Sequence, residues 1–160
     1  MTDLILAAVT GSPACSPILG FASLFASTFG THACALHVAE RHDSNAVGDL
    51  VFRQRLGLQI VDGDPVREIV SAAHHPQVSL VVIGARDLPH STELGHVTRE
   101  IAVRLRRPLL VVPMDATVPA SLARLLIPLE GTEATTAPIR ALVEHLPLSL
   151  IHISEPTRPY

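Results

Sequence analysis

The chain has 160 residues, the length of one domain with a sizeable core; 48% are hydrophobic and only 3% aromatic, so Val, Leu, Ile and Ala must build that core. A formal net charge of −3 offers no electrostatic reason to expect nucleic acid or an anionic membrane surface. All 12 basic residues are arginine, which excludes a Walker lysine, a Schiff-base lysine and the lysine of a phosphorylated receiver domain. Any bound phosphate must be held by backbone N–H groups, helix ends or arginine.

Leu4 to Val9 (LILAAV) reads as a first strand, buried on both faces as in parallel sheets. Thr10, Gly11, Ser12 and Pro13 turn the chain, and Ser12 or Ser16 is expected to cap a helix in which Ile18, Phe21, Phe25 and Phe29 recur at helical spacing. Gly30 stands where a left-handed cap would end that helix. No formal charge occurs from Leu4 to Ala39. The start, MTD, is acidic rather than basic, and Gly11, Pro13, Pro17 and Gly20 interrupt the apolar run. A signal peptide or membrane span is therefore not expected, and the protein is read as cytoplasmic. Cys15 and Cys34 lack metal-ligand spacing and are read as buried free thiols.

Ala33 to Val38 (ACALHV) is a second strand; a weak helical piece follows around Asp49 to Arg55, then a short third strand from Gly57 to Val61. Asp64-Pro65 starts the next helix: Asp64 caps, Pro65 takes the first position and Glu68 suits the positive end. Val66, Ile69, Val70 and Ala73 form its inner face, Pro76 stops it, and His74 and His75 complement its carbonyl end. Leu80 to Ile83 is a fourth strand and Leu109 to Val112 a fifth; between them Val97, Ile101 and Leu105 mark a helix with Arg104, Arg106 and Arg107 in its last turn. Strands alternating with helices predict an α/β domain, an open doubly wound parallel sheet. Ligands of such sheets sit at the carboxyl ends of the strands, so the loop bracketed by Gly84 and Gly95 is where chemistry is sought.

Past a linker, residues 116–121, the opening repeats: RLLIPLEGT echoes LILAAVTGS, and Ile139, Leu142, Val143 and Leu146 mark a helix. The expected organisation is a complete domain over 1–115 and, over 122–147, the first strand and helix of a second, truncated one. LSLIHISEPTR, from Leu148 to Arg158, matches the translation of a sequencing-library adapter, so 148–160 is read as read-through and set aside.

Taken in order, ILAAVTGSP, CALHVAE, GDPVREIV, LVVIGAR, LGHVTREIAVRL and RPLLVVP resemble the universal stress protein family across residues 3 to 115. The repeat from 122 to 147 resembles the start of a second copy, as in tandem members. The resemblance implies a flavodoxin-like sheet of order 3-2-1-4-5 and dimerisation through the last strand. It also implies, as in many members, binding of ATP, here with Mg²⁺. Carried over, Gly84 matches the first glycine of the ATP motif and Gly95 the last, with Val97 and Thr98 at the helix start. Ala8, Val9, Val38 and Ile83 match positions that line adenine and ribose. Three positions depart from the motif: Asp87 replaces its second glycine, His96 its hydroxyl residue, and Thr10 the acidic residue after the first strand. The spacing departs too, with seven residues rather than nine between Asp87 and Gly95.

A carboxylate beside phosphate oxygens at ~4–6 Å costs about 3–4 kcal/mol per charge pair at an effective dielectric of ~20, and less where exposed. Micromolar affinity amounts to only about −8.2 kcal/mol. The expectation is a binding and regulatory module with weakened or lost ATP affinity, not an enzyme; the alternative is a competent ATP-binding module with slow hydrolysis. A third reading uses His90 or His96 near Asp87 and Glu93 as acid and base. No HxxxH or HExxH spacing supports a metal site. The partner expected is a second copy through Leu109 to Val112, an exposed edge in that strand order, or the missing second domain.

Overall fold

The computed structural model describes residues 3–12, 15–39, 45–85 and 93–122, all within the first of the chain's two units, Met1–Leu126. Strands β1 (Leu4–Val9), β2 (His32–Ala39), β3 (Gly57–Asp62), β4 (Val78–Gly84) and β5 (Leu109–Val112) form one sheet in the order β3-β2-β1-β4-β5. Every neighbouring pair is parallel, as expected of this order. The connecting helices are α1 (Ser16–Phe29), α2 (Asn45–Arg53), α3 (Pro65–Ala73) and α4 (His96–Arg104).

The two helical layers follow from handedness. Crossovers β1 to β2 to β3 step one way across the sheet, and β3 to β4 to β5 step the other way. Right-handed connections therefore put α1 and α2 on one face and α3 and α4 on the opposite one. The pleat divides the apolar runs accordingly. Ile5, Ala7, Val9, Leu80 and Val82 meet Leu19, Ala22 and Phe25 of α1 and Val47 and Val51 of α2. Leu6, Ala8, Leu36, Val81 and Ile83 meet Val66, Ile69 and Ala73 of α3 and Ile101 of α4. Burial on both faces explains why β1 and β4 are continuous rather than alternating in hydrophobicity.

The register holds one irregularity. Leu4 pairs with Val78 but Ile5 with Leu80, leaving Ser79 as the extra residue of a bulge, its Oγ donating to the Leu4 carbonyl at 3.4 Å. The bulge reverses the pleat, so Val78 joins the α3/α4 core and Leu80 the α1/α2 core.

Helix ends agree with expectation at three places and differ at two. Gly30 caps α1 with φ 64° and ψ 33°, a conformation that disfavours a Cβ. His74 closes α3, its Nδ1 2.6 Å from the Val70 carbonyl. Asp64 accepts the Arg67 N–H at 2.9 Å ahead of Pro65. Asp64→Ala should lower stability by about 1 kcal/mol, readable as a lower urea midpoint with an unchanged slope. At α1, however, neither Ser12 nor Ser16 is the cap. The N-cap is Cys15, which makes no side-chain capping bond, and Ser16 is already helical. Helix α4 stops at Arg104 with Leu105 extended (ψ 133°), so Arg106 and Arg107 lie beyond the last turn. Pro108 disfavours helical geometry at Arg107 and helps end the helix early.

Residues 113–122 do more than connect. The Ala116 N–H donates to the Pro113 carbonyl at 3.1 Å and turns the chain after β5; Ala116 and Leu122 then pack on the α1/α2 core. Val118 lies so close to α1 that a Cβ on Gly20 would stand 2.6 Å from its Cγ2. Because α1 and α2 both step toward β3, Leu110 and Val112 of β5 need another cover on this face, and this segment provides apolar residues for it. The proposed second copy beyond Leu122 and the tail lie outside the described residues. Among the described residues no helix is long and apolar enough to cross a membrane.

Candidate functional site

Between β1 and β4 the chain's direction across the sheet reverses, and at such a switch point the carboxyl ends of neighbouring strands part to leave a crevice. Residues expected at a site reach it from β1 (Ala8, Val9) and the residue after it (Thr10), β2 (Val38), β4 (Ile83, Gly84), and the N-cap (Gly95) and first turn (His96, Val97, Thr98) of α4. Asp87, His90 and Arg86 lie outside the described residues.

The structure sorts these residues. Ala8 and Ile83 are each 5% exposed and share the α3/α4 layer with half-buried Val38 and Val97, an apolar wall at the end of the sheet. Val9 points into the opposite layer under α1. Only its backbone is left for the site, and its carbonyl faces Nδ1 of buried His37 at 3.1 Å.

Thr10 is exposed but tied to the first turn of α1. Its N–H donates to Cys15 Sγ at 3.1 Å, its hydroxyl lies 3.2 Å from the same sulfur, and the thiol in turn donates to the Thr10 carbonyl at 3.3 Å. The Ser12 N–H donates to Thr10 Oγ1 at 3.4 Å. Immediately after β1 the chain thus carries a neutral turn fastened to Cys15. The sequence had offered Cys15 only as a buried thiol; its place at the helix start, five residues after Thr10, was the available signal.

The two glycines meet. Gly84 ends β4, paired with Val112, and a Cβ on it would come 3.2 Å from Ile18 Cδ1 of α1. The Gly95 N–H donates to the Ala85 carbonyl at 2.9 Å, and the Ala85 N–H to the Val112 carbonyl at 2.8 Å. Thr98, 2% exposed, donates its hydroxyl to the Gly84 carbonyl at 2.7 Å. Loop entry and exit are therefore latched together at the tip of β4, with the positive end of α4 beside the apolar wall.

His96 is exposed, and its Nε2 lies 3.0 Å from Glu100 Oε1, one helical turn on; Glu100 Oε2 lies 2.6 Å from Arg104 Nη2. Glu93 faces Arg99 at 3.5 Å. For the acid–base reading, the two described members, His96 and Glu93, thus each lie beside a partner on α4. Among the described residues no group of three or more His, Cys, Asp or Glu could hold a metal ion.

Away from the loop, burial pushes the Cys34 thiol above the ordinary thiol range, and a hydrogen bond with the Gln59 backbone offsets part of the rise. The folded chain keeps this proton where the unfolded chain has lost it. The associated stability is complete below the unfolded thiol's pKa and falls as pH rises through the folded one. Urea midpoints should decline more between pH 8 and pH 10 for the native chain than for Cys34→Ala; parallel profiles would contradict this.

Residues 54–113 match the model of the universal stress protein family. The match runs from the end of α2 through β5 and includes the latched loop. Among solved structures, a universal stress protein in complex with cAMP aligns with a TM-score of 0.61 at 18% identity, covering 71% of this chain and 98% of that one. A universal stress protein from Archaeoglobus fulgidus DSM 4304 aligns at 0.56 and 17% identity, over 69% of this chain and 44% of that one. Another from Archaeoglobus fulgidus, in complex with dAMP, aligns at 0.51 and 17% identity, over 69% and 97%. At these identities the likeness establishes the fold: the flavodoxin-like α/β sheet of the universal stress proteins. No significant match was found among the curated proteins.

Proposed function

We propose that the chain is a universal stress protein-like binding and regulatory module, not an enzyme, that keeps an adenine-binding wall but has weakened or lost its grip on ATP. The observation that carries this reading is the meeting, at the β1/β4 switch point, of the apolar wall of Ala8, Val38, Ile83 and Val97 with the start of α4. Structures of the same fold holding cAMP and dAMP support an adenine nucleotide as the ligand class. The weakening rests on Thr10, Asp87 and His96, which replace an acid, a glycine and a hydroxyl residue in the motif.

Calorimetric titration of the chain with Mg-ATP tests it. Affinity weaker than about 100 μM is expected, and Asp87→Gly should tighten it roughly tenfold, about 1.4 kcal/mol, by removing a charge next to phosphate. Micromolar binding by the native chain would instead favour a competent ATP-binding module. As partner we propose a second copy, or a second domain of the same chain, along the edge strand β5. Cytoplasmic residence belongs to the same proposal.

A further inference from the structure

We infer that β3, the sheet edge opposite β5, pairs antiparallel with β3 of a second copy of this chain about a two-fold axis at Gln59. The inference is independent of the nucleotide reading and uses a surface which that reading leaves aside. β3 ends the strand order, so only one of its sides is hydrogen-bonded to a neighbouring strand. Sheet edges are commonly kept from pairing by a proline, a bulge or a cation within the strand. The sequence of β3, GLQIVD, has no proline and no cation, and its one charge, Asp62, is its last residue. Its register with β2 runs from Gly57 to Asp62 without a shift.

This edge carries open apolar surface. Leu58 packs on the α1/α2 core. Ile60, two residues on, shares that face by strand periodicity yet is 44% exposed. Phe52, in the last turn of the helix that leads into β3, is 84% exposed. Two of the four large hydrophobics exposed among the described residues thus belong to the α2–β3 unit.

Side-chain alternation fixes the register. A two-fold axis normal to the sheet keeps the faces of the two copies aligned, and directly opposed residues of an antiparallel pair point to the same side. The axis must therefore pass through a residue rather than between two, and centres at Gln59 or Ile60 engage most of the strand. Centred on Gln59, the pairing sets Ile60 of each copy opposite Leu58 of the other, and Gly57 opposite Val61. Centred on Ile60, it would set Leu58 against the Asp62 carboxylate. Gln59 is exposed, and its side-chain amide offers both a donor and an acceptor to its counterpart across the axis.

Charge fits the same centre. Arg55 precedes the strand while Asp62 and Asp64 close it, and all three are exposed. Counted outward from Gln59, Arg55 of each copy comes level with Gly63 of the other, between the two carboxylates. Among the described residues no ion pair engages Arg55 or Asp62. One end of the edge is thus positive and the other negative. An antiparallel second copy matches both ends at once, whereas a parallel one would oppose like charges.

The test is sedimentation equilibrium of the whole chain, which should self-associate reversibly. Ile60→Lys and Arg55→Asp should each weaken that association about tenfold or more, because every cross-strand contact occurs twice about the axis; neither should move the urea midpoint, since both side chains are exposed. A mixture of Arg55→Asp with Asp62→Arg should associate more tightly than either variant alone, one contact being native and the other reversed. In a Cys34→Ala background, Gln59→Cys should form a disulfide-linked dimer under mild oxidation, as two residues opposed on an axis require. A native chain that stays monomeric at millimolar concentration, variants that associate like the native chain, a mixture no tighter than its components, or Gln59→Cys that does not cross-link would each overturn the inference.

Discussion

Ile101→Ala is expected to destabilise the domain by about 2–5 kcal/mol, the range for truncating a fully enclosed Ile. Ile101 is 0% exposed, and α4 buries only it and Thr98. Thr98 carries the latch to Gly84, so Ile101 supplies most of the apolar anchorage of a nine-residue helix. Truncation leaves a cavity between α4 and the sheet that Val66, Ile69 and Val81 cannot fill without leaving their own contacts. Val103→Ala, on the opposite side of α4 at 82% exposure, should alter stability by no more than about 0.5 kcal/mol. Urea unfolding of both variants decides the matter; similar midpoints for the two would show that α4 is not anchored through Ile101.

The second large effect concerns the segment after β5. Gly20→Val should destabilise by about 1–3 kcal/mol through overpacking. Its first added carbon already stands 2.6 Å from Val118 Cγ2, and Val, being β-branched, cannot turn a methyl away cheaply. Helix propensity works in the opposite direction, since Val is better than Gly by a few tenths of a kcal/mol; the steric effect is the larger. The expected structural outcome is displacement of residues 113–122 from α1, seen as faster proteolysis within that segment. Val118→Ala removes the opposing methyls, so combining the two should recover much of the loss, with a coupling between about 0.5 and 3 kcal/mol. Strict additivity would mean that Val118 does not rest on Gly20 in solution.

Local signals carried much of the architecture. Five short, largely apolar runs gave all five strands, and the Asp64-Pro65 pair marked α3 because a cap acts over only three residues. Gly30 likewise announced its own left-handed turn. Short-range rules failed where a distant residue decided. The Ser79 bulge depends on the pairing of β4 with Leu4, some seventy-five positions away, and nothing around Ser79 signals it. Two serines looked better caps than Cys15, yet the sulfur is fixed by Thr10 at the end of a strand.

For the site, residue types and spacing brought Gly84 and Gly95 to one loop, while the apolar set at the strand ends came from the family resemblance. They could not tell that Val9 faces the other layer, because that depends on the side of the sheet to which right-handed crossovers carry α1 and α3. Nor could they tell that Thr98 turns inward to Gly84 rather than outward to a ligand.

Alternation of apolar runs with amphipathic helices, punctuated by Gly and Pro, by itself determined that this protein builds a parallel sheet with its candidate loop at the strands' carboxyl ends. Only the tertiary structure decided which donors of that loop are already bonded, which face each strand residue serves and what covers β5 on the α1 side. The division has a physical cause. Backbone preference and hydrophobic period act over a few residues and can be read along the chain, whereas hydrogen-bond satisfaction and close packing are settled by whichever distant groups the fold brings within about 3–4 Å.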